Sequence, residues 1–406
     1  MSSQSRIYNF FASTTGKQFS LYSTGFVALG AFAVKYFPHT FFSQNYREFV
    51  ACYKDGIEKR VPDAIMKRFE IAQDILKLSD YEKNHMSPFM VTGFDTVHIG
   101  SLKVRFGALT GIPTNFSYTE PCEIDKANIM IRGKSIDWNS NGGKRLEQSL
   151  VLTEDEQIFA LVREMIQLQD DKILLKSIYP TGAIALYYIL SSGINTKFNL
   201  FIRPLSFRLS FYMIVGLFCF GIYSFLNDYT QVSADGNTDQ RLAALGKGFI
   251  EAGVRFYAKL LNKNIAIRDL TNDDSEYTAL GNESFIIRRK RLPLTLRKAF
   301  FDAKLKELNQ VSADGNTDQR LAALGKGFIE AGVRFYAKLL NKNIAIRDLT
   351  NDDSEYTALG NESFIIRRKR LPLTLRKAFF DAKLKELNQV ENENISGVHK
   401  NDKFNE

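Results

Sequence analysis

The twenty residues from Phe207 to Leu226, FRLSFYMIVGLFCFGIYSFL, carry a single charge, Arg208, and are otherwise an almost unbroken apolar and aromatic run. About 20 such residues are what a helix rising 1.5 Å per residue needs to cross a ~30 Å hydrocarbon layer. A helix that is apolar on every side has no face to give to water. The run therefore predicts a membrane span over 207–226. Two shorter runs accompany it, 19–37, where only Lys35 is charged, and 178–194. Tyr179, Tyr187, Tyr188, Tyr212 and Tyr223 suit the aromatic belts of a bilayer interface. The link 195–206 is short and contains Pro204, so the second and third runs read as a helical hairpin. The competing reading for each run is a buried core helix of a soluble protein. The expected fold class is an α-helical integral membrane protein with about three transmembrane helices. A mixed α/β soluble region would lie between the first and second helices, and a mainly helical region would follow the third.

The amino-terminal segment 1–18 looks like a targeting sequence. No Asp or Glu precedes Glu48, whereas Arg6, Lys17, Lys35 and Arg47 are basic and Ser and Thr are plentiful. That pattern fits mitochondrial targeting, and Lys17 followed by an apolar run fits a secretory signal anchor equally well. The soluble region 38–175 has 17 basic residues against 20 acidic ones. Within it, Val91 to Phe116 alternates apolar and small polar residues with glycine punctuation, which predicts short strands and turns. Thr153 to Glu156 (TEDE) is a capping box, and Ile158, Phe159, Val162, Met165, Ile166 and Leu168 follow at helical spacing. That helix is expected to run on towards the second apolar segment.

Residues 231–309 recur residue for residue as 310–388, and a polar tail, 389–406, follows. Solenoid repeats have periods of roughly 20–50 residues and diverge in sequence. A perfect 79-residue copy instead means a recent segmental duplication or a doubled exon in the gene model. Within one copy, Leu242, Leu245, Phe249, Phe256 and Leu260 share one helical face, with the helix expected to end near Asn262–Asn264.

No P-loop, GxGxxG, GxSxG or HExxH sequence occurs. The three cysteines, Cys52, Cys122 and Cys219, have no CxxC spacing, so neither a disulfide framework nor a cysteine zinc site is expected. His85, Met86, Met90 and His98 have ligand types that suit Cu(I), but core methionines and surface histidines are the favoured account. No cofactor is implied. The cluster Arg288, Arg289, Lys290 and Arg291 is read as a solvated turn or a contact for anionic lipid headgroups. Nucleic acid is disfavoured, because no aromatic stacking platform accompanies the cluster. Gly182, Ala183 and Ala185 on the second segment, and Gly216 and Gly221 on the third, are small enough to admit a partner helix. The sequons at Asn115 and Asn282 are weak signals.

Several short runs are more specific. Gly111-Ile112-Pro113 with Phe116, Ile136-Asp137-Trp138 with Gly143 and Arg145, then Phe159-Ala160 and Arg163-Glu164, resemble the soluble region of the transmembrane protein 177 family. Gly253-Val254, Phe256-Tyr257, Lys259-Leu260-Leu261, Asn264, Gly281-Asn282 and Leu292-Pro293 resemble that family's segment after its last membrane helix. The resemblance covers about 19 to 309, in family order. It implies a multi-pass protein of the mitochondrial inner membrane without catalysis, one that supports assembly of cytochrome c oxidase. The implied partners are subunit II of that oxidase and its membrane chaperone, besides the lipid bilayer, with no small-molecule substrate. It also implies a single copy of the 79-residue segment, so 310–388 departs from the family. Lys197, Arg203 and Arg208 around the hairpin link favour that link on the matrix side, whereas the basic repeats favour the reverse.

Overall fold

The fold is described from a computed structural model, covering residues 10–11, 13–170, 172–200, 203–284, 290–323, 325–350, 357, 359, 361 and 371–401. The chain is about 70% helical with a few short strands. Its helices are α1 (Thr14–Tyr36), α2 (Ser43–Val50), α3 (Asp63–Ile75), α4 (Asp80–Asn84), α5 (Asn141–Leu150), α6 (Glu154–Leu168), α7 (Lys172–Phe198), α8 (Leu205–Ala244), α9 (Lys247–Thr271), α10 (Leu294–Ala323), α11 (Lys326–Thr350) and α12 (Leu373–Asn401). The strands are β1 (Tyr53–Lys54), β2 (Ile57–Glu58), β3 (Met86–Val91), β4 (Val97–Gly100), β5 (Ala108–Pro113), β6 (Met130–Ile131) and β7 (Lys134–Ser135). The chain divides into two compact units, 1–301 and 302–406.

Two helices among the described residues, α7 and α8, are long and apolar enough to cross a membrane. The remaining expected segment, 19–37, does form a helix, α1, started by Ser13, whose hydroxyl accepts the Gly16 N–H at 3.1 Å. It is not one of those two, because Gly, Ser and Thr dilute its apolar character. α1 and α8 both pack on α7. Polar side chains stitch them together: Thr181 Oγ1 donates to Ala28 O (3.2 Å), Tyr179 and Thr230 hydroxyls lie 2.8 Å apart, and the Tyr212 hydroxyl donates to Asn195 (2.9 Å). The outer faces are apolar and open, with Phe26 79%, Leu217 69% and Phe225 68% exposed. Contiguous exposed apolar surface of this kind needs lipid or protein against it.

Strands β4 and β5 fall within the glycine-punctuated stretch Val91 to Phe116; β3 ends where that stretch begins, and β1, β2, β6 and β7 lie outside it. β5 sits in the middle of a three-stranded sheet, parallel to β3 (Met86↔Ala108) and antiparallel to β4 (Val97↔Gly111). A Cβ at Gly111 would lie 2.4 Å from Val91 Cγ1, so the strand crossing requires glycine there. α6 begins at the expected box, with the Thr153 N–H donating to Glu156 Oε2 at 2.9 Å. Its buried face of Phe159, Val162, Met165 and Ile166 is the axis of the soluble core.

Three expectations change. α6 does not run on into α7; it stops at Leu168, and Gln169–Asp170 form a turn before α7 begins at Lys172. The third apolar run and the start of the first 79-residue copy are one helix, α8, because 226–231 contains nothing to break it. The helix of that copy is instead interrupted at Gly246 (φ +121°) and its second half, α9, continues past Asn262–Asn264 to Thr271. The apolar spacing runs through Gly246 and hides the break. Residues 231–301 pack into the soluble core. α9 packs on α5 and α6, and Phe159 meets Phe256, Tyr257 and Phe301 at centroid distances of 5.5, 5.9 and 5.5 Å. Gly253 allows that cluster, since a Cβ there would come within 2.8 Å of the Phe301 ring.

Unit 302–406 repeats the internal contacts of the first copy. The Tyr336 hydroxyl donates to Asp318 (3.1 Å), Arg376 pairs with Asp318 (2.6 Å), and Gly332 faces Phe380 as Gly253 faces Phe301.

Candidate functional site

Polar side chains that are scattered in sequence converge on a cavity of about 680 Å³ between the sheet and the helices α6, α8, α9 and α10. β4 and the loop before it supply Asp95, Thr96 and His98; α6 supplies Arg163, Glu164 and Gln167; α9 supplies Lys263 and Asn264. Glu164 is the centre of this arrangement and is 3% exposed. Its Oε1 accepts from Thr96 Oγ1 (2.8 Å) and Arg163 Nη2 (2.6 Å), and its Oε2 lies 2.8 Å from His98 Nδ1. Burial alone would raise its carboxyl, but the Arg163 guanidinium and the His98 bond outweigh that and hold it below the usual carboxylate range.

Several other wall charges are paired as well. Lys263, almost fully buried, bonds to Asp95. Arg297 forms a fork on Asp239 (2.7 and 2.6 Å) and stacks on Tyr257, whose hydroxyl donates to the same carboxylate at 2.8 Å. Asp235 accepts the Leu292 N–H at 3.2 Å. Tyr277 also lines the cavity, and burial together with Asp95 and Glu276 pushes its phenol up to about 12, so it stays protonated near neutrality. A buried network of this kind fixes the register of four helices against one strand.

The residues singled out in the sequence lie in several places. Arg291 lines the cavity mouth and stands 3.4 Å from Glu283. Lys290 is exposed and flanks it, while Arg288 and Arg289 lie outside the described residues. Gly216 faces Tyr187 across an apolar groove that Ala183 also lines, whereas Gly182, Ala185 and Gly221 are exposed. Met86 and Met90 are core, His85 stacks on Tyr81, and no group of metal ligands occurs among the described residues. Asp137 does not reach the cavity; it accepts from the Asn139 N–H in the turn before α5. Asn115 is buried, its Nδ2 donating to Leu150 O at 3.1 Å, which leaves no room for a glycan in the folded chain. Thr96, Lys263, Asp239 and Arg297 carry no signal in the sequence pattern. Glu164 does carry one: it is a carboxylate set among Val162, Met165 and Ile166 on a helix otherwise apolar on that side.

Two short motifs have structural explanations. A Cβ on Gly143 would lie 2.2 Å from Asp137 O, so Ile136-Asp137-Trp138 can close over α5 only with glycine at that point. Asn264 Nδ2 donates to Gly281 O at 2.8 Å, where φ is +80°, tying the loop after α9 back to that helix. The family model described as Transmembrane protein 177 matches residues 66–292, more than half the chain. The chain belongs to that family. Transmembrane protein 177 of Rattus norvegicus is 31% identical over 231 residues, 56% of this chain and 74% of that protein. The Homo sapiens protein is 29% identical over 274 residues, 66% of this chain and 87% of its own, and the Danio rerio protein 28% over 262 residues, 62% and 82%. No solved structure matches. The chain is thus a membrane protein of the transmembrane protein 177 family. Arg163, Glu164, Asn264, Asn282, Leu292 and Pro293, among the residues that carry the resemblance, line the polar cavity.

Proposed function

We propose that this chain is a non-catalytic assembly factor of the mitochondrial inner membrane, supporting biogenesis of cytochrome c oxidase subunit II and stabilising its membrane chaperone. Family membership is the observation that carries this reading. The open apolar faces of α7 and α8 support it, because a scaffold acting within the bilayer needs helix surface left for partners. On this reading α1 is a third span, the α7–α8 link faces the matrix, and 38–175 lies on the other side with the carboxy-terminal region. Tagging either end and digesting mitoplasts with protease tests that topology. Affinity purification of the tagged chain should recover subunit II and its chaperone. Depletion that leaves both partners' abundance unchanged would overturn the proposal.

One observation favours a second reading, a membrane-anchored enzyme. His98 and Glu164 form a histidine–carboxylate pair at the wall of a polar cavity, an arrangement that elsewhere orients a general base. Glu164 is, however, engaged three ways at once with Thr96, Arg163 and His98, which suits a structural tie. His98→Gln separates the two: a scaffold keeps its partners and its rescue of oxidase assembly, whereas an enzyme keeps partners and loses rescue.

A further inference from the structure

A smaller cavity of about 260 Å³ opens where α1 ends and α7 begins, sharing His98, Gln167, Lys176 and Gln231 with the larger one. Its charges are not balanced. Lys35, Lys172 and Lys176 line it against one described carboxylate, Asp170; Asp171 lies outside the described residues. Lys172 is 9% exposed, and its Nζ makes no hydrogen bond, although Asp170 Oδ2 is 3.3 Å away. Lys176 Nζ donates to the neutral amide oxygen of Gln231. Lys35 has no ion pair among the described residues. His39 Nδ1 is buried without a partner, and burial, then His98, Lys176 and Lys35, lower its imidazole to about 4. An ammonium group removed from water costs several kcal/mol unless an anion meets it. The positive end of the α7 helix dipole lies at the same place.

Directly along the same three helices lies an apolar groove of about 560 Å³, lined by Thr24 and Val27 of α1, Pro180 and Ala183 of α7, and Gly216 and Tyr223 of α8. Pro180 is one helical turn beyond Lys176. An anion site and an apolar groove on the same three helices, one turn apart along α7, match an amphipathic ligand whose charged end is an oxyanion.

We propose that these two cavities bind one anionic phospholipid, its phosphate held by Lys35, Lys172 and Lys176 and an acyl chain lying in the groove. Free phosphate shares the headgroup chemistry but has nothing to place in the groove. Native mass spectrometry of the full chain in detergent, with phosphatidylglycerol, phosphatidylcholine or inorganic phosphate added, tests this. Phosphatidylglycerol should bind one equivalent more tightly than phosphatidylcholine. Basic residues near a membrane surface contribute enough for about fivefold in affinity each, so Lys35→Gln, at an exposed position, should weaken phosphatidylglycerol by about that factor. Lys35→Gln combined with Lys176→Gln should weaken it by more than tenfold. Gly216→Leu, which fills the groove, should reduce phosphatidylglycerol binding and leave phosphate unaffected. Equal binding of the two lipids, insensitivity to both lysine variants, or phosphate binding that phosphatidylglycerol does not displace would overturn the proposal. Thermal melting of each variant without added lipid distinguishes lost binding from lost fold.

Discussion

Asp239 carries more than its sequence position announces. It accepts both arms of Arg297 and the Tyr257 hydroxyl, with Arg297 and Asp239 side chains 7% and 3% exposed. Removing one partner of such a pair leaves a buried charge uncompensated, at a cost of about 3–5 kcal/mol. Asp239→Ala should therefore lower the thermal transition of unit 1–301 markedly. Its copy Asp318→Ala should leave that transition unchanged and affect 302–406 alone, which differential calorimetry would resolve. His39 supplies a pH prediction. Its folded imidazole sits near about 4 against 6.5 when unfolded, so acid protonates the unfolded chain first. Stability conferred by keeping it neutral is complete above pH 6.5 and declines as pH falls towards 4, by about 2 kcal/mol at pH ~5. His39→Gln should flatten that part of the melting profile. Glu164, whose carboxyl is depressed, contributes stability that is complete above the ordinary carboxylate range and is lost as pH falls through that range and below it.

The interruption between α8 and α9 tests how far elements follow from local rules. Gly246 has φ +121° and ψ −179°, a region essentially reserved for glycine, with open space where a Cβ would go. Gly246→Ala should cost about 1–3 kcal/mol from backbone strain alone. Gly248→Ala, also in open space but inside α9, should be neutral or stabilising. Matched melts of the two variants check this. Elements that rest on neighbours in sequence were legible: the Thr153–Glu156 cap, the glycine-punctuated strands β4 and β5, and the Pro204-containing hairpin. The break at Gly246 was not, because Leu242, Leu245 and Phe249 keep helical spacing across it. Nor was the cavity, whose ties join residues far apart in the chain, Thr96 with Glu164 and Asp239 with Arg297. Periodicity reports which face is buried and is silent about which partner a buried charge meets.

At the scale of the molecule, the two identical segments meet different surroundings. In the first copy Phe256 is 3% exposed against Phe159, and Lys259 bonds to Glu156 at 2.6 Å. In the second copy the equivalent Phe335 is 58% exposed. The second copy keeps the contacts a copy makes with itself and shows to solvent part of the face the first presents to α6. A chain lacking 310–388 should keep the transition temperature of unit 1–301 and bind less of a hydrophobic dye such as ANS. Loss of the first transition would show that the second copy contributes to the fold of the first. A transcript read through 231–388, or an intact mass, establishes how many copies the cell makes.

α8 runs without interruption from Leu205 to Ala244, about 60 Å at 1.5 Å per residue. A hydrocarbon layer of about 30 Å accounts for half of it. The other half carries Asp235 and Asp239, clamped into the soluble core by Leu292 and Arg297. A rod of that kind is a lever whose fulcrum is the bilayer. A change in membrane thickness that tilted it by about 10° would swing its outer arm by about 5 Å, more than the length of any bond in the clamp. The cavity wall would then register the thickness of the membrane as torque.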